Sequence, residues 1–547
     1  MQRHTKPLPW RAKGISDTLD GSTAFTGAMA SLQNLIPDPS TANLFQCRPA
    51  AIKIASLLNP GTISVFKVVG NFVYGMMSGT VATYDSPFCF NLSTLLQVTV
   101  TGTQSAATLP LSQPTSGAWT PPQMDVIGSK LMVAHPGFTG TGGNWIGWFD
   151  LTNPAAPVWN AGTLTPIGGG SGFSVAPIAV AQFSGRAYYI HNLTAQPAVL
   201  FSDPLSPTTF TSSANSTNVL TFNDNAALTA LGKLPLNNQL GGIIQALMVF
   251  KDQSNIFQIT GDPVTNNLSV NALNCACGTS APNSVVATPK GIVFMAADGI
   301  RLINFVATVS DPIGNDGKGI CVPFIYAVTP SRVTASCNAS VARVSVANGN
   351  AAGSPNQEYW YDFSRQIWSG PHNFPAALIE PYNQTFIMAP VGITGSLWQS
   401  DFFQSSTSTF TENSNQMTWQ WQTPLLPDTD QISNNEMHEG TLDLSLPSTV
   451  GAVTVTCIDQ NGSQITSVTV QTTGTSTVWG AFIWGSALWG GSAPGTLQPF
   501  TLPWSGPIVF ARMSVLASGN SADLFKIGTL HMRYQMLRTL TSTAAAA

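Results

Sequence analysis

Charge is what this sequence has least of. Asp, Glu, Lys and Arg make up 8% of its 547 residues, about a third of the share in an ordinary globular chain. The net charge is −4 and no run is rich in Lys or Arg, which excludes the phosphate-neutralising patch that a sequence-independent nucleic-acid binder needs. DNA passing nearby is not gripped. Seven cysteines (Cys47, Cys89, Cys275, Cys277, Cys321, Cys337, Cys457) lie scattered along the chain. Their odd number argues against a disulfide framework and for folding in a reducing cytoplasm. No window reaches about 18 uninterrupted apolar residues, and no apolar stretch follows the basic residues of the N-terminus, so neither a membrane span nor an export signal is expected.

Motifs of chemistry are missing too. There is no G-x-G-x-x-G after a strand, no G-x-x-x-x-G-K-[ST] loop, no H-E-x-x-H and no G-x-S-x-G elbow. Cys275-Ala276-Cys277 has neither the C-x-x-C spacing nor a second ligand pair, and reads as buried or strand-edge thiols. Glu436-Met437-His438-Glu439, followed by Gly440, is the one cluster that suggests a metal or an acid–base pair, and reads as a solvated turn. No catalytic residue, cofactor or metal is therefore expected. Glycoside hydrolysis is the enzymatic reading to weigh, because it needs only two carboxylates at a fixed separation. Five Glu are present, at 358, 380, 412, 436 and 439, without a Ser-x-Asp-x-Gly-x-x-Trp box.

What the chain does have is 43% hydrophobic residues, 14 Trp, 48 Gly and 38 Pro. That supply of apolar surface is enough to fold, and the length suggests two or three domains. Helical periodicity is nearly absent, the best stretch being Asn225-Ala-Ala-Leu-Thr-Ala-Leu231. Strands must carry the fold.

From residue 62 to 405 one unit recurs seven times: an apolar strand, a turn of Gly, Asn, Asp or Ser, and a second apolar strand. Gly70-Asn71 joins Ile63–Val69 to Phe72–Met77, Gly128-Ser129 joins Met124–Ile127 to Lys130–Ala134, and Ser184-Gly185 joins Ile178–Phe183 to Arg186–Ile190. Further units centre on 251–255, on Asp298-Gly299, on 364–366 and on Asn383-Gln384. Asp-Gly is a strong hairpin dipeptide because both positions tolerate positive φ. The spacing of roughly 40 to 60 residues is that of four-stranded propeller blades. The fold class is thus all-β: a β-propeller-like body of six or seven blades over 62–405, with meanders split over two sandwiches as the alternative. A Ser/Thr-rich linker at 404–409 leads to a C-terminal β-sandwich or jelly-roll-like domain over 406–547. Within it Trp479, Trp484 and Trp489 stand five apart, matching neither a helix face nor strand alternation, and read as a loop with packed indoles and as candidate interface residues. Residues 1–61 form an N-terminal docking segment and lead-in, in which Leu32, Leu35 and Ile36 are candidate interface residues awaiting a partner.

Three stretches carry a resemblance: Phe250-Lys-Asp-Gln-Ser-Asn-Ile-Phe-Gln-Ile-Thr-Gly-Asp-Pro263, Cys277-Gly-Thr-Ser-Ala-Pro-Asn-Ser-Val-Val-Ala287 and Gly291-Ile-Val-Phe-Met-Ala-Ala-Asp-Gly-Ile-Arg-Leu302. They resemble the tail nozzle family of short-tailed bacteriophages, also called packaged-DNA stabilisation or tail tubular proteins. Leu32–Pro39 followed by Gln46-Cys-Arg-Pro49 is similar to that family's opening segment. The loop around Trp479 and Trp484, the Pro503-Trp504 turn and Ile527–Tyr534 fit its C-terminal domain. The resemblance implies a structural virion protein, assembled in the host cytoplasm as a homohexameric ring. It would sit below adaptor and portal-proximal proteins, contact tail fibres or tailspikes, and face the host outer surface during infection. Its lumen would retain genomic DNA and later conduct it without sequence-specific binding. The competing reading is a carbohydrate-binding propeller or a phage-associated glycan hydrolase.

Overall fold

The computed structural model describes residues 6–17, 28–41, 44–57, 61–78, 85–102, 118–138, 144–163, 175–192, 197–210, 218–222, 225–237, 243–252, 254–262, 267–313, 319–401, 411–413, 415–426, 435–445, 451–472, 497–502, 508–521 and 526–536. Its strands form seven antiparallel blades. Blade 1 is Ile63–Val69, Phe72–Ser78, Asp85–Asn91 and Leu96–Val98; blade 2 is Gln123–Ile127, Lys130–Ala134, Asn144–Asp150 and Val158–Thr163. Blade 3 is Ala179–Phe183, Arg186–Asn192, Pro197–Phe201 and Val219–Thr221; blade 4 is Leu228–Asn237, Ile243–Lys251, Ile256–Thr260 and Ser269–Ala272. Among the described residues blade 5 has three strands, Val286–Thr288, Gly291–Ala296 and Gly299–Asn304. Blade 6 is Thr334–Asn338, Val341–Val346, Gln357–Asp362 and Ile367–His372. Blade 7 takes Ala376–Tyr382, Thr385–Pro390 and Ser396–Asp401 from the body and its outermost strand, Ile52–Ser56, from the N-terminal segment.

The first strands of successive blades pack against one another in a closed circle that returns from blade 7 to blade 1. This is a seven-bladed β-propeller. Each blade is covered on both faces by its neighbours, so its second strand is buried almost end to end, as in Arg186–Asn192 and Gly291–Ala296. Such strands read as continuous apolar runs instead of clean alternation. Separate hydrophobic clusters fill the gaps: Tyr74, Phe149 and Trp159 between blades 1 and 2, Tyr188, Phe201 and Val249 between 3 and 4, Phe66, Phe88 and Ile387 between 7 and 1.

The C-terminal strands make a β-sandwich, and the N-terminal segment is woven through it. One sheet runs Leu497–Thr501, Asn435–Ser445, Lys526–Met536, Phe45–Cys47, Leu35–Pro37, with Lys6–Arg11 also paired to Lys526–Met536. The other runs Ser31–Gln33, Asn415–Gln422, Met513–Ser521, Gly451–Asp459, Gln464–Thr472. Leu442, Leu530 and Met532 of the first sheet and Trp419, Trp421 and Val515 of the second share one core. Ser31–Gln33 also pairs with blade 6, Leu32 opposite Gly370, so blade 6 and the second sheet form one continuous ten-stranded sheet.

Several expectations change. Residues 1–61 are not a detached docking segment: they supply strands to both sandwich sheets and to blade 7. Leu32 and Leu35 are 0% exposed and Ile36 2%, because their partners lie hundreds of residues along the chain. The stretch 225–231 runs into the strand Leu228–Asn237 instead of a helix, its apolar residues facing the cores of both neighbouring blades. Glu436–Glu439 lies within the strand Asn435–Ser445, with His438 and Glu439 exposed, and is not a turn. In the blade 5 hairpin the two turn residues are Ala297 and Asp298, while Gly299 begins the next strand opposite Ala296. Trp479, Trp484, Trp489, the linker 404–409 and Pro503-Trp504 lie outside the described residues.

Candidate functional site

The first strands of all seven blades enclose a central channel of 310 Å³. Four charged residues face it, each the only charged residue of its strand: Lys67 from blade 1, Asp125 from blade 2, Lys233 from blade 4 and Glu380 from blade 7. They are paired. Lys67 Nζ lies 2.9 Å from Glu380 Oε2, which ties the first blade to the last. Lys233 Nζ lies 2.7 Å from Asp125 Oδ2, reaching past blade 3, whose Gln182 N–H donates to the same oxygen at 2.6 Å. Lys67 is 34% exposed and lines the channel. Burial pulls its ammonium pKa down, but the Glu380 carboxylate, aided by Asp125, outweighs burial and holds it above its ordinary value.

One side of the channel is crossed by chain. The Trp119 N–H donates to Ser331 Oγ (3.1 Å), and Gln123 Nε2 donates to Asn283 Oδ1 (2.5 Å). The lead-in to blade 2 therefore reaches the lead-ins to blades 5 and 6, which stand opposite it in a ring of seven.

A second cluster of ionisable groups lies where blades 6 and 7 meet the sandwich. Arg343 Nε donates to Glu358 Oε1 at 2.6 Å, and its guanidinium lies between the rings of Trp360 (4.7 Å) and Phe386 (5.1 Å). Glu358 also accepts from Trp360 Nε1 and Ser345 Oγ. Burial pushes its carboxyl pKa up, but Arg343, with the Trp360 N–H and Arg48, more than offsets that and leaves it low. Arg48 donates to both carboxylate oxygens of Glu412 (2.8 and 2.7 Å) and through Nε to Asn34 Oδ1 (3.0 Å). His372 packs edge-on against Trp360 at 5.0 Å. Burial, reinforced by Arg48 and Arg343, holds it well below the usual imidazole range. These groups are sealed from solvent and fix the blades to one another.

The expected interface residues do not converge on a surface: Leu32 and Leu35 belong to the sandwich core and Ile36 to the core between blades 6 and 7. Trp419 and Trp421 are core residues. All seven cysteines are free, and among the described residues no group of three or more His, Cys, Asp or Glu could hold a metal. The channel charges went unremarked in the sequence, although a single Lys, Asp or Glu inside Ile63–Val69, Met124–Ile127 or Ala377–Glu380 was the available signal.

No family model matches the chain. No curated protein matches it either. Among solved structures it is similar to the β-propeller domain of the Trilobed protease from Pyrococcus furiosus, at 6% identity, covering 64% of this chain and 98% of that one, TM-score 0.31. It is also similar to Trypanosoma rangeli sialidase in complex with 2,3-difluorosialic acid (7% identity, 76% and 91% covered, TM-score 0.30). A third is a putative 6-phosphogluconolactonase from Bacteroides uniformis (14%, 45% and 68% covered, TM-score 0.25). The propeller assignment rests on the strand pairing described above.

Proposed function

We propose that this chain is a non-catalytic structural subunit of the tail nozzle of a short-tailed phage, acting in a homohexameric ring. The observation that carries the reading is the weaving of the N-terminal strands through the sandwich, blade 6 and blade 7, which makes propeller and sandwich one stiff body suited to transmit force within a ring. The resemblance at residues 250–302 supports it: those residues are the hairpins of blades 4 and 5 and the link between them. DNA would run between subunits, since a 310 Å³ channel crossed by chain does not admit a duplex whose major groove alone is about 12 Å wide. The low charge of the sequence suits a wall that lets a polyanion slide.

Electron microscopy and native mass measurement of the purified chain test this: hexameric rings are expected, and so is the chain's presence at the distal end of the particle's tail. A monodisperse monomer or trimer absent from particles would overturn it.

A second reading, glycan binding or hydrolysis, draws on one observation: Asp125 and Glu380 face the same channel, and a glycosidase needs two carboxylates. Against it, each carboxylate is held by a lysine. Glycan turnover abolished by Glu380→Gln would favour this reading over the first.

A further inference from the structure

Beside the buried Arg48–Glu412 pair, where the propeller hands over to the sandwich, lies a cleft of 200 Å³ that shares no lining residue with the channel. Asn373 and Phe374, in the link from blade 6 to blade 7, line one wall. Asn413, Asn415, Gln416 and Thr418 line the other, on the hairpin in which Thr411–Glu412 pairs with Asn415–Gln422. Phe374 is half-buried, its ring 5.2 Å from that of Trp398, and the five polar residues are exposed. Glu412 is the one charged residue among those described that lines the cleft, and Arg48 donates to both of its oxygens.

The two walls are tied together by Asn34, which is fully buried. Its Nδ2 donates to Asn373 Oδ1 (2.7 Å) and to Thr418 O (2.6 Å), and its Oδ1 accepts from Arg48 Nε (3.0 Å). Asn413 holds φ +48°, a left-handed conformation that Asn tolerates. Among the described residues, nothing bonds to the side-chain amides of Asn413 and Gln416 or to the Thr418 hydroxyl, and Asn373 Nδ2 and Asn415 Oδ1 are also left over. The cleft thus offers a ligand a fixed, uncharged set of donors and acceptors.

We propose that this cleft binds one ring of a neutral sugar, free or at the end of a glycan, and holds it without reacting with it. A hydroxyl donates one hydrogen bond and accepts two, and a side-chain amide answers both needs. The apolar face of the ring packs on Phe374. A phosphate or carboxylate ligand finds no free Lys or Arg among the lining residues, and a uronic acid meets the Glu412 carboxylate. At 200 Å³ the cleft falls short of the roughly 300–1,000 Å³ that encloses a drug-sized molecule, so it takes a single ring. Glycoside hydrolysis needs two carboxylates; the cleft has one, buried and paired, and is left with binding alone. The inference does not rest on the nozzle reading, and it places the sugar away from the channel carboxylates of the second reading.

Saturation-transfer NMR on the full chain tests it with glucose, galactose, mannose and N-acetylglucosamine, glucuronic acid serving as the charged control. At least one neutral sugar should bind saturably, and glucuronic acid should not. Asn413→Gly, which keeps the positive φ of the turn, and Gln416→Ala should each weaken binding roughly two- to tenfold, the effect of one net hydrogen bond. Circular dichroism should show both variants folded. Glu380→Gln, in the channel, should leave binding unchanged. On an array of immobilised neutral glycans, capture that the same free sugar competes away identifies a glycan end as the ligand, and binding of the free sugar alone identifies a monosaccharide. No saturable binding by any of the four neutral sugars, affinity untouched in both cleft variants, or binding lost in Glu380→Gln would overturn the proposal.

Discussion

Arg48 and Glu412 form a two-pronged ion pair inside the molecule, Nη1 to Oε1 at 2.8 Å and Nη2 to Oε2 at 2.7 Å, across 364 residues of sequence. Arg48 leaves the strand Phe45–Cys47 of the sandwich on its way to blade 7, and Glu412 opens the return from the propeller to the sandwich. Both crossings between the two bodies are thus clamped at one point. Ala51 N–H donates to Glu412 Oε1 (2.9 Å) and Arg48 Nε to Asn34 Oδ1 (3.0 Å), which gives both charged groups further hydrogen bonds, the condition under which a buried pair is tolerated.

Breaking the pair from one side should hurt more than removing it. Arg48→Met leaves a buried carboxylate without its cation and should cost about 3–5 kcal/mol. Arg48→Met with Glu412→Leu should recover much of that loss. Denaturant unfolding of the two single variants and the double variant measures the coupling. A double variant as unstable as the sum of the singles would show that the two side chains act separately.

Gly299 has φ +136°, and a Cβ there would lie 3.2 Å from Pro312 Cβ. Gly299→Val should cost roughly 1 kcal/mol or more from backbone strain alone, with crowding added. An unchanged melting temperature would mean that blade 5 relaxes around the new side chain.

The hairpins were legible because their signals are local. Ser184 and Gly185 both take positive φ (48° and 71°), as a type I′ turn demands, and lie between two apolar runs. Ile52–Ser56 gave no such sign: only its pairing with Ser396–Asp401 makes it the closing strand of blade 7. Leu32, Leu35 and Ile36 looked like an unpartnered patch because their partners are remote in sequence. The channel charges were visible one by one, but their pairing is a product of ring closure: Lys67 meets Glu380 only when blade 1 meets blade 7.

Stability should fall as pH drops below about 6.5. The folded-state pKa of His372 is held well below its ordinary 6.5, by burial and then by Arg48 and Arg343; His191 is also lowered, by burial. Below 6.5 the unfolded chain binds protons at these positions and the folded chain does not, so each contributes a loss of up to about 1.4 kcal/mol per pH unit. Urea unfolding between pH 7.5 and 5 reads the slope. His372→Gln should make it shallower by one proton, and an identical slope in that variant would remove His372 from the account.

The N-terminal segment gives the most direct test of how the molecule holds together. Deleting residues 1–44 removes Lys6–Arg11 from beside Lys526–Met536, Leu35–Pro37 from beside Phe45–Cys47, and the bridge Ser31–Gln33 between blade 6 and Asn415–Gln422. It also strips Arg48 of Asn34 and opens a core that includes Trp10, Leu32 and Leu35. A docking arm could be lost without harm to the body, whereas these strands cannot. The truncated chain should be insoluble, or soluble with strong dye binding to exposed apolar surface and a lost near-ultraviolet signal from Trp419 and Trp421. A gentler probe is Leu35→Ala, a fully buried truncation expected to cost about 2–5 kcal/mol, read by denaturant unfolding of the full chain. A deletion variant that stays monodisperse with native circular dichroism, together with a Leu35→Ala effect under 1 kcal/mol, would return the segment to the role of a detachable arm.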